Sequence, residues 1–510
     1  MHRSLSRVLK RLSALGILTS VVSAFGADTL ITNAVIVDGS GGLSVLGSVR
    51  IVGAHIAEVG VLAPRETDTV IDAGGLVLAP GFIDTHSHAD DLILVQRAAQ
   101  PKITQGITTV VVGQDGSSPY PLDTFFEALE QTPATVNVAA YVGHNTLRSI
   151  VLSDDFKRPA NPAEIQAMSR LLRVELASGA MGLSTGLEYE PGIYSARGEV
   201  LQLAKQTAQQ GGRYISHLRS EDRWLEDSLD EIIEVGRVTG MPVKISHVKL
   251  AMKRLWGTAP NIIRKLDAAR AEGVDITADI YPYLFWQANM MVLLPERDPH
   301  DRAAVNFVIQ ELAPPEGIIF THFPVQPNYV GKTLIEIAAL RGETPVEAFS
   351  ALAQLSIAHE VQTGQPGDMI IGSSMDEQDL QALMAWPHTN ICTDGGLQDR
   401  HPRGAGSFPR VLGRYVRALN LMTLEVGIHK MTGLPAEHLG FTDRGLIKPG
   451  YRADLVLLDP NSVADRATTS EPFLSSRGIR DVWVNGEAVM RRGEAIDVYP
   501  GQVIRREITP

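Results

Sequence analysis

Cysteine is almost missing from this chain: Cys392 is the only one in 510 residues. A single thiol excludes an intrachain disulfide framework. Stability must then come from a packed core, and any metal site must be built from His, Asp and Glu, a donor set suited to zinc and other divalent ions. A basic block is missing too. The net charge is −12, which argues against a nucleic-acid partner and implies a soluble, acidic surface. No apolar run is long enough to span a membrane. No internal repeat or low-complexity segment interrupts the sequence, and the composition, 44% hydrophobic and 20% charged, suits one large domain plus a smaller one.

The first 24 residues read as a secretory signal. Arg3, Arg7, Lys10 and Arg11 form a basic start, residues 12–22 a short apolar run, and Val22-Ser23-Ala24 a small-residue cleavage site. No Cys follows, so a lipid-anchored reading lacks its attachment residue. The expected location is secreted or periplasmic, with no membrane anchor in the mature chain.

Residues 28–80 read as short strands separated by Gly, Asn and Asp, and residues 441–510 return to short strands with an Asn485-Gly486 hairpin turn. The two ends are expected to build one small β-sandwich. Between them, over 81–440, apolar β-rich runs alternate with helical stretches such as 163–177 and 224–239. That alternation argues for an α/β fold of the (β/α)8, TIM-like barrel type. The runs lie at 81–86, 107–113, 136–142, 180–185, 213–217, 242–247 and 274–280. Three more follow at 317–323, 369–373 and 390–394. Ten candidates exceed eight. The Pro-rich polar stretch at about 285–345 is read as an inserted subdomain, which removes one and leaves one surplus strand.

Active-site residues of such barrels sit at strand C-terminal ends. The first run ends in Asp84, His86 and His88 at alternating positions. Residues two apart on a strand share a face, so His86 and His88 present two imidazoles able to chelate one divalent metal. Other strand ends carry Asp115, Glu188, His217, His247 and Asp394. Four histidines and several carboxylates at matching ends point to a metal centre.

The chain resembles the amidohydrolase superfamily and, within it, the D-aminoacylase (N-acyl-D-amino-acid deacylase) family. The resemblance rests on PGFIDTHSHAD (80–90), GLSTGL (182–187), SHLRSE (216–221), KISHVK (244–249), TDGG (393–396), HPRGAGSFPRVLG (401–413) and KPGYRADLVLLDP (448–460). It implies one or two zinc ions, with His86, His88 and Asp394 binding one and His217 and His247 the other. It also implies hydrolysis of N-acyl-D-amino acids by a zinc-bound hydroxide, with Asp394 as general base. Tyr281 or His144 would help to stabilise the oxyanion. Arg403, with Arg219 in reserve, would bind the carboxylate of a small-molecule N-acyl amino acid.

Departures stand out in two places, the metal site and the substrate region. The family places a Cys in a Gly-Asn-Cys-Gly context after the second strand, where this chain has Gly113-Gln114-Asp115-Gly116. Many superfamily members bridge their metals with a lysine of the fourth strand, where this chain has Glu188. Glu188 is therefore expected to bridge or complete the site, with Asp115 as a helper. After Tyr281-Pro282-Tyr283, the bulky Leu284-Phe285-Trp286-Gln287 suggests a different acyl or side-chain preference. A dipeptidase or cyclic-amide hydrolase of the same superfamily, and a non-catalytic barrel that only binds, are the competing readings. Oligomeric state is left open.

Overall fold

The computed structural model describes residues 28–507. The signal-like segment at 1–24 lies outside the described residues. Eight parallel strands form the barrel: β1 (Phe82–Asp84), β2 (Ile107–Val112), β3 (Asn137–Ala140, continuing as Val142–Gly143), β4 (Gly182–Gly186), β5 (Arg213–His217), β6 (Val243–Ile245), β7 (Ile276–Ile280) and β8 (Thr389–Ile391). Each is hydrogen-bonded to the next in chain order. These strands are buried on both faces, as a parallel sheet covered by helices requires. The seam between β8 and β1 closes just beyond the strand ends. There the Asp394 N–H donates to the His86 carbonyl (2.9 Å) and the His88 N–H to the Gly395 carbonyl (3.2 Å).

The helix Pro162–Ala177 shows how the sequence sets a barrel helix. Asn161 and Glu164 cap it reciprocally, and Pro162 occupies the first turn, where its missing N–H costs nothing. Ile165, Met168, Leu172 and Leu176, at helical spacing, bury one face. Each such side chain contributes about 1.5–3 kcal/mol of burial. Gly179, at φ +96°, turns the chain toward β4.

Both chain ends share a nine-stranded sheet. Leu455–Leu458 lies antiparallel beside Val77–Pro80, joining the halves. Leu455 and Leu457 enter a core with Ile31, Ile51 and Trp483, while Val456 and Leu458 face the barrel. One part of the 441–510 expectation is corrected. The tail leaves the sheet and runs along the barrel, where Gly501, Ile504 and Arg506 N–H groups donate to the Ala134, Val138 and Gly179 carbonyls.

The inserted subdomain is larger than 285–345. Phe285–Ala288, Met369–Ser373 and Ile318–His322 form their own antiparallel sheet, and its apolar core runs from Trp286 through Phe349 and Leu352 to Ile370. The surplus strand, 369–373, is the centre of that sheet. Its pairing partners lie some 50 and 80 residues earlier in the chain, so only folding reveals them. Among the described residues no helix is long and apolar enough to cross a membrane.

Candidate metal centre and active site

The strand ends of β1, β2, β5, β6 and β8 converge at the barrel mouth. His86 Nε2 lies 3.4 Å from both Asp115 Oδ2 and Asp394 Oδ1, and His88 Nε2 lies 3.5 and 3.2 Å from the same two atoms. On the other side, His247 Nε2 lies 3.3 Å from Asp115 Oδ1 and 3.0 Å from His217 Nδ1, and His217 Nδ1 is 4.0 Å from Asp115 Oδ1. Two donors on one tetrahedral ion, each about 2.1 Å from it, lie about 3.4 Å apart. The spacing fits metal ligation. His86 Nε2 and Asp115 Oδ1, which face one another's cluster, are buried without a hydrogen-bond partner, as expected of atoms built to ligate a cation.

Charge agrees with spacing. Burial alone would lower the His88 imidazole, yet Asp115 and Asp394 raise it well above its ordinary value. His247, lowered by burial and by Lys249, is pushed up to about 10 by Glu221, Asp115 and Asp394. Burial would raise the Asp394 carboxyl, but the Arg403 guanidinium, with His247 and His86, holds it well below the usual range. A site so rich in carboxylate favours positive charge, whether as protons or as a divalent ion.

The frame is rigid. Buried Asp84 accepts from the Thr393 N–H (2.8 Å) and hydroxyl (2.6 Å) and from Lys102 Nζ (3.0 Å), and Lys102 also donates to Thr393 Oγ1 and the Gly395 carbonyl. This network fixes the β8 end, and with it Asp394, against the histidine strand. In β7, Asp279 accepts from the His247 N–H (2.6 Å) and pairs with Lys244 (2.9 Å). Cys392 is buried beside Asp279, and its sulfur is no part of the metal cluster.

The cleft above the candidate metal ligands is lined by Glu188, Tyr189, Glu221, Lys249, Tyr281, Arg403 and an apolar wall of Trp286, Ala288, Val292, Leu293 and Leu312. Arg403 Nη1 pairs with Asp394 Oδ2 at 2.6 Å and its guanidinium lies 4.8 Å from the Tyr281 ring centroid. The Tyr281 hydroxyl has no partner and burial pushes it up to about 12, so it stays a proton donor. His401 orients this motif: its Nδ1 accepts from the Arg403 N–H (3.0 Å) and its Nε2 donates to the Phe285 carbonyl (2.9 Å), which ties Arg403 to the insert.

Three sequence expectations are corrected. Glu188 is not placed between the two histidine pairs: it reaches only His217 Nε2, at 3.0 Å, on the imidazole edge turned away from Asp115, and the carboxylate that lies between the pairs is that of Asp115. His144 opens a helix and is held by Glu199 (2.9 Å) within a buried Glu199–Arg148 pair, so it does not line the cleft. Arg219 is spent on a bidentate pair with Glu231 (2.8 Å each) and on loop carbonyls. Sequence reasoning missed Lys249 and Glu221. Lys249 follows His247 by two residues, a legible signal. Glu221 holds His247 Nδ1 (3.0 Å) and Lys249 (2.6 Å) from a loop, with no periodicity to announce it.

An eight-stranded barrel with a His/Asp metal cluster at its mouth defines the class, and comparison with known proteins gives the family. The chain belongs to the amidohydrolase family, whose model matches residues 69–313 and 330–490. An N-acyl-D-glutamate deacylase of Alcaligenes xylosoxydans xylosoxydans is 37% identical over 94% of this chain and 97% of its own. A D-aminoacylase structure, solved to study its binuclear metal centre, is 35% identical, with TM-score 0.83 over 94% of this chain and all of that one. The N-acyl-D-glutamate deacylase of Bordetella bronchiseptica, solved with zinc and a phosphonate mimic of the tetrahedral intermediate, is 36% identical, with TM-score 0.82 over 94% and 99%.

Proposed function

We propose that this protein is a zinc-dependent hydrolase that removes the acyl group from N-acyl-D-amino acids. The observation that carries the reading is one cleft holding a His/Asp metal cluster, two cations and an apolar wall, in a chain similar over nearly its whole length to deacylases of that class. His86, His88, Asp115, Asp394, His217 and His247 would hold the metal. Bound zinc supplies a water of pKa near ~7 and a Lewis acid for the amide carbonyl.

The chain's own groups do the rest. Arg403, flanked by Lys249 and the Tyr281 hydroxyl, pairs with the substrate carboxylate, since a guanidinium matches a carboxylate with two parallel hydrogen bonds. Asp394, ionised at every ordinary pH, takes the proton from the attacking water and delivers it to the leaving nitrogen. The Tyr281 hydroxyl donates toward the developing oxyanion. Trp286, Val292, Leu293 and Leu312 exclude water and favour an apolar side chain or acyl group; in that wall the Gln287 side-chain amide oxygen, Oε1, is buried without a partner and is free to accept a substrate N–H.

The signal-like start supports secretion or export to the periplasm. N-terminal sequencing of protein recovered from culture fractions tests it; a chain retaining Met1 in the cytosol would overturn it. For the activity, metal content is measured first. Then N-acyl-D- and N-acyl-L-amino acids, dipeptides and hydantoins are compared as substrates. The expected outcome is bound zinc, loss of activity on chelation, and fastest turnover of N-acyl-D-amino acids with neutral side chains. Faster turnover of dipeptides or hydantoins would replace the reading.

A further inference from the structure

We infer that the end of the barrel away from the metal cluster holds a second site, where a small carboxylate binds between Arg213, Lys244 and Tyr141 and slows turnover through Asp279. The cavity there is walled by strand starts, whereas the metal ligands stand at strand ends. Arg213 opens β5, Lys244 lies in β6, Thr277 in β7, and His388 stands just ahead of β8. The cavity encloses about 210 Å³, room for several waters or one small organic acid. Tyr141, 1% exposed, and Lys244, 5% exposed, form its inner end, while Asp275 and Glu437 stand at its exposed rim.

The charges select the ligand. Lys244 Nζ is 2.9 Å from Asp279 Oδ2, and Arg270 Nη1 is 3.2 Å from Asp275 Oδ1. Among the described residues Arg213 has no carboxylate within 4.0 Å. Its guanidinium rests on Gly440, at φ +74°, where a Cβ would lie 2.4 Å from Nη2. His388 and His438 are both held below their ordinary range, by burial first and then by neighbouring cations, so they add no charge. One uncommitted positive charge remains. It suits a monoanion, and a dianion would meet Asp275 and Glu437 at the rim. The guanidinium fork matches a planar carboxylate with two parallel hydrogen bonds. Burial raises the Tyr141 hydroxyl against the pull of Lys244 and Arg213, so it keeps its proton beside both cations and supplies a third donor.

Lys244 links this site to the metal ligands. An ammonium has three N–H donors. Two are used, on Asp279 Oδ2 and on the Thr85 carbonyl (3.4 Å), and a carboxylate on Arg213 is offered the third. Sharing the ammonium loosens Asp279, whose Oδ1 accepts from the His247 N–H (2.6 Å) and lies 3.8 Å from His86 Nδ1. The histidine frame is then held less firmly and kcat falls. Arg403 is untouched, so KM does not change. Amide hydrolysis releases a carboxylate, so the site would sense product. The kinetic effect rests on the hydrolase reading above; the binding does not.

The test uses the enzyme as purified. Trifluoroacetate binding is followed by fluorine NMR, with butyrate and inorganic phosphate as competitors, and hydrolysis is then measured with added butyrate. A carboxylate in the metal cleft raises KM, whereas one at the far end lowers kcat. The expected result is two classes of trifluoroacetate site and a kcat reduced by about fivefold at saturating butyrate. Tyr141→Phe, which removes only a hydroxyl, and Arg213→Gln should each weaken far-end binding by about tenfold or more. Both should relieve the kcat effect and leave basal turnover as in the wild type. A single class of site that disappears in Arg403→Ala would overturn the second site. Tighter binding of phosphate than of butyrate would overturn the ligand class. Far-end binding with unchanged kcat would overturn the link through Lys244. A protein that binds trifluoroacetate at two sites but hydrolyses no amide would overturn the hydrolase reading and keep the site.

Discussion

The barrel mouth and the inserted subdomain face the same cleft and are built in opposite ways. The mouth buries charge: Asp84, Asp115, Asp279, Asp394, Lys102 and Lys244 are each under a tenth exposed, and each is held by a partner of opposite charge or by an imidazole. The insert buries hydrocarbon. Its core is Phe320, Phe323, Phe349, Leu352 and their neighbours, and Asp368 is the one buried acid within 285–374. Removing one partner from a buried charge network costs several kcal/mol, because the other charge is left stranded. An apolar wall can exchange one hydrocarbon for another at much lower cost. The mouth therefore fixes the chemistry, and the insert is where substrate preference is free to vary.

Asp394→Asn tests the mouth most directly. With metal content verified, kcat/KM should fall by about 10³ or more, since both a ligand and the proton carrier are lost. A loss under tenfold would move the base elsewhere. Next comes the insert's buried acid. Burial pushes the Asp368 carboxyl up to about 6, against hydrogen bonds from Ser356 and the Met290 N–H. In the unfolded chain this group titrates near ~3.9. The folded insert thus holds the proton more tightly; its stability is greatest below pH ~4 and declines as pH rises through about 6, by at most about 3 kcal/mol. Hydrogen exchange confined to 285–374 reads this directly. Asp368→Asn should flatten the profile, and an equally steep profile in the variant would assign the effect to another group.

Arg403→Ala should raise KM for an N-acyl amino acid by roughly 30-fold, about 2 kcal/mol for a lost charge-assisted contact. An unchanged KM removes Arg403 from carboxylate binding and leaves Lys249 in its place. The smallest effect belongs to the wall. A Cβ at Gly372 would lie 2.2 Å from the Trp286 indole, so Gly372→Ala must displace that ring. Relative kcat/KM for bulky over small apolar substrates should shift by about tenfold while the best small substrate changes little. Equal losses on all substrates would mean that the insert supports the mouth rather than selecting the substrate.

Much of this was legible along the chain. The His-x-His pair announces itself by strand periodicity, and the eight barrel strands fall on apolar runs that end in polar residues. The misreadings share a cause. Glu188 looked suited to bridge because it stands where other amidohydrolases carry a lysine, but position along a strand does not say which edge of an imidazole a carboxylate meets. His144 and Arg219 are polar residues near strand ends that found buried ionic partners, Glu199 and Glu231, on helices 55 and 12 residues further along the chain. The run at 369–373 reads as a barrel strand because a strand's hydrophobic pattern carries no record of which sheet it will join.

The donor set, the strand order that presents it and the lack of any thiol beyond Cys392 were all legible along the chain. These follow from residue type and local periodicity. Folding alone places Asp115 between the two histidine pairs, brings Lys249 and Glu221 to the site, and sets the insert's apolar wall over it. Those facts depend on distances between residues tens to hundreds of positions apart. Such distances are set by how the strands close into a barrel and where the insert packs against its mouth, not by any local preference of the chain.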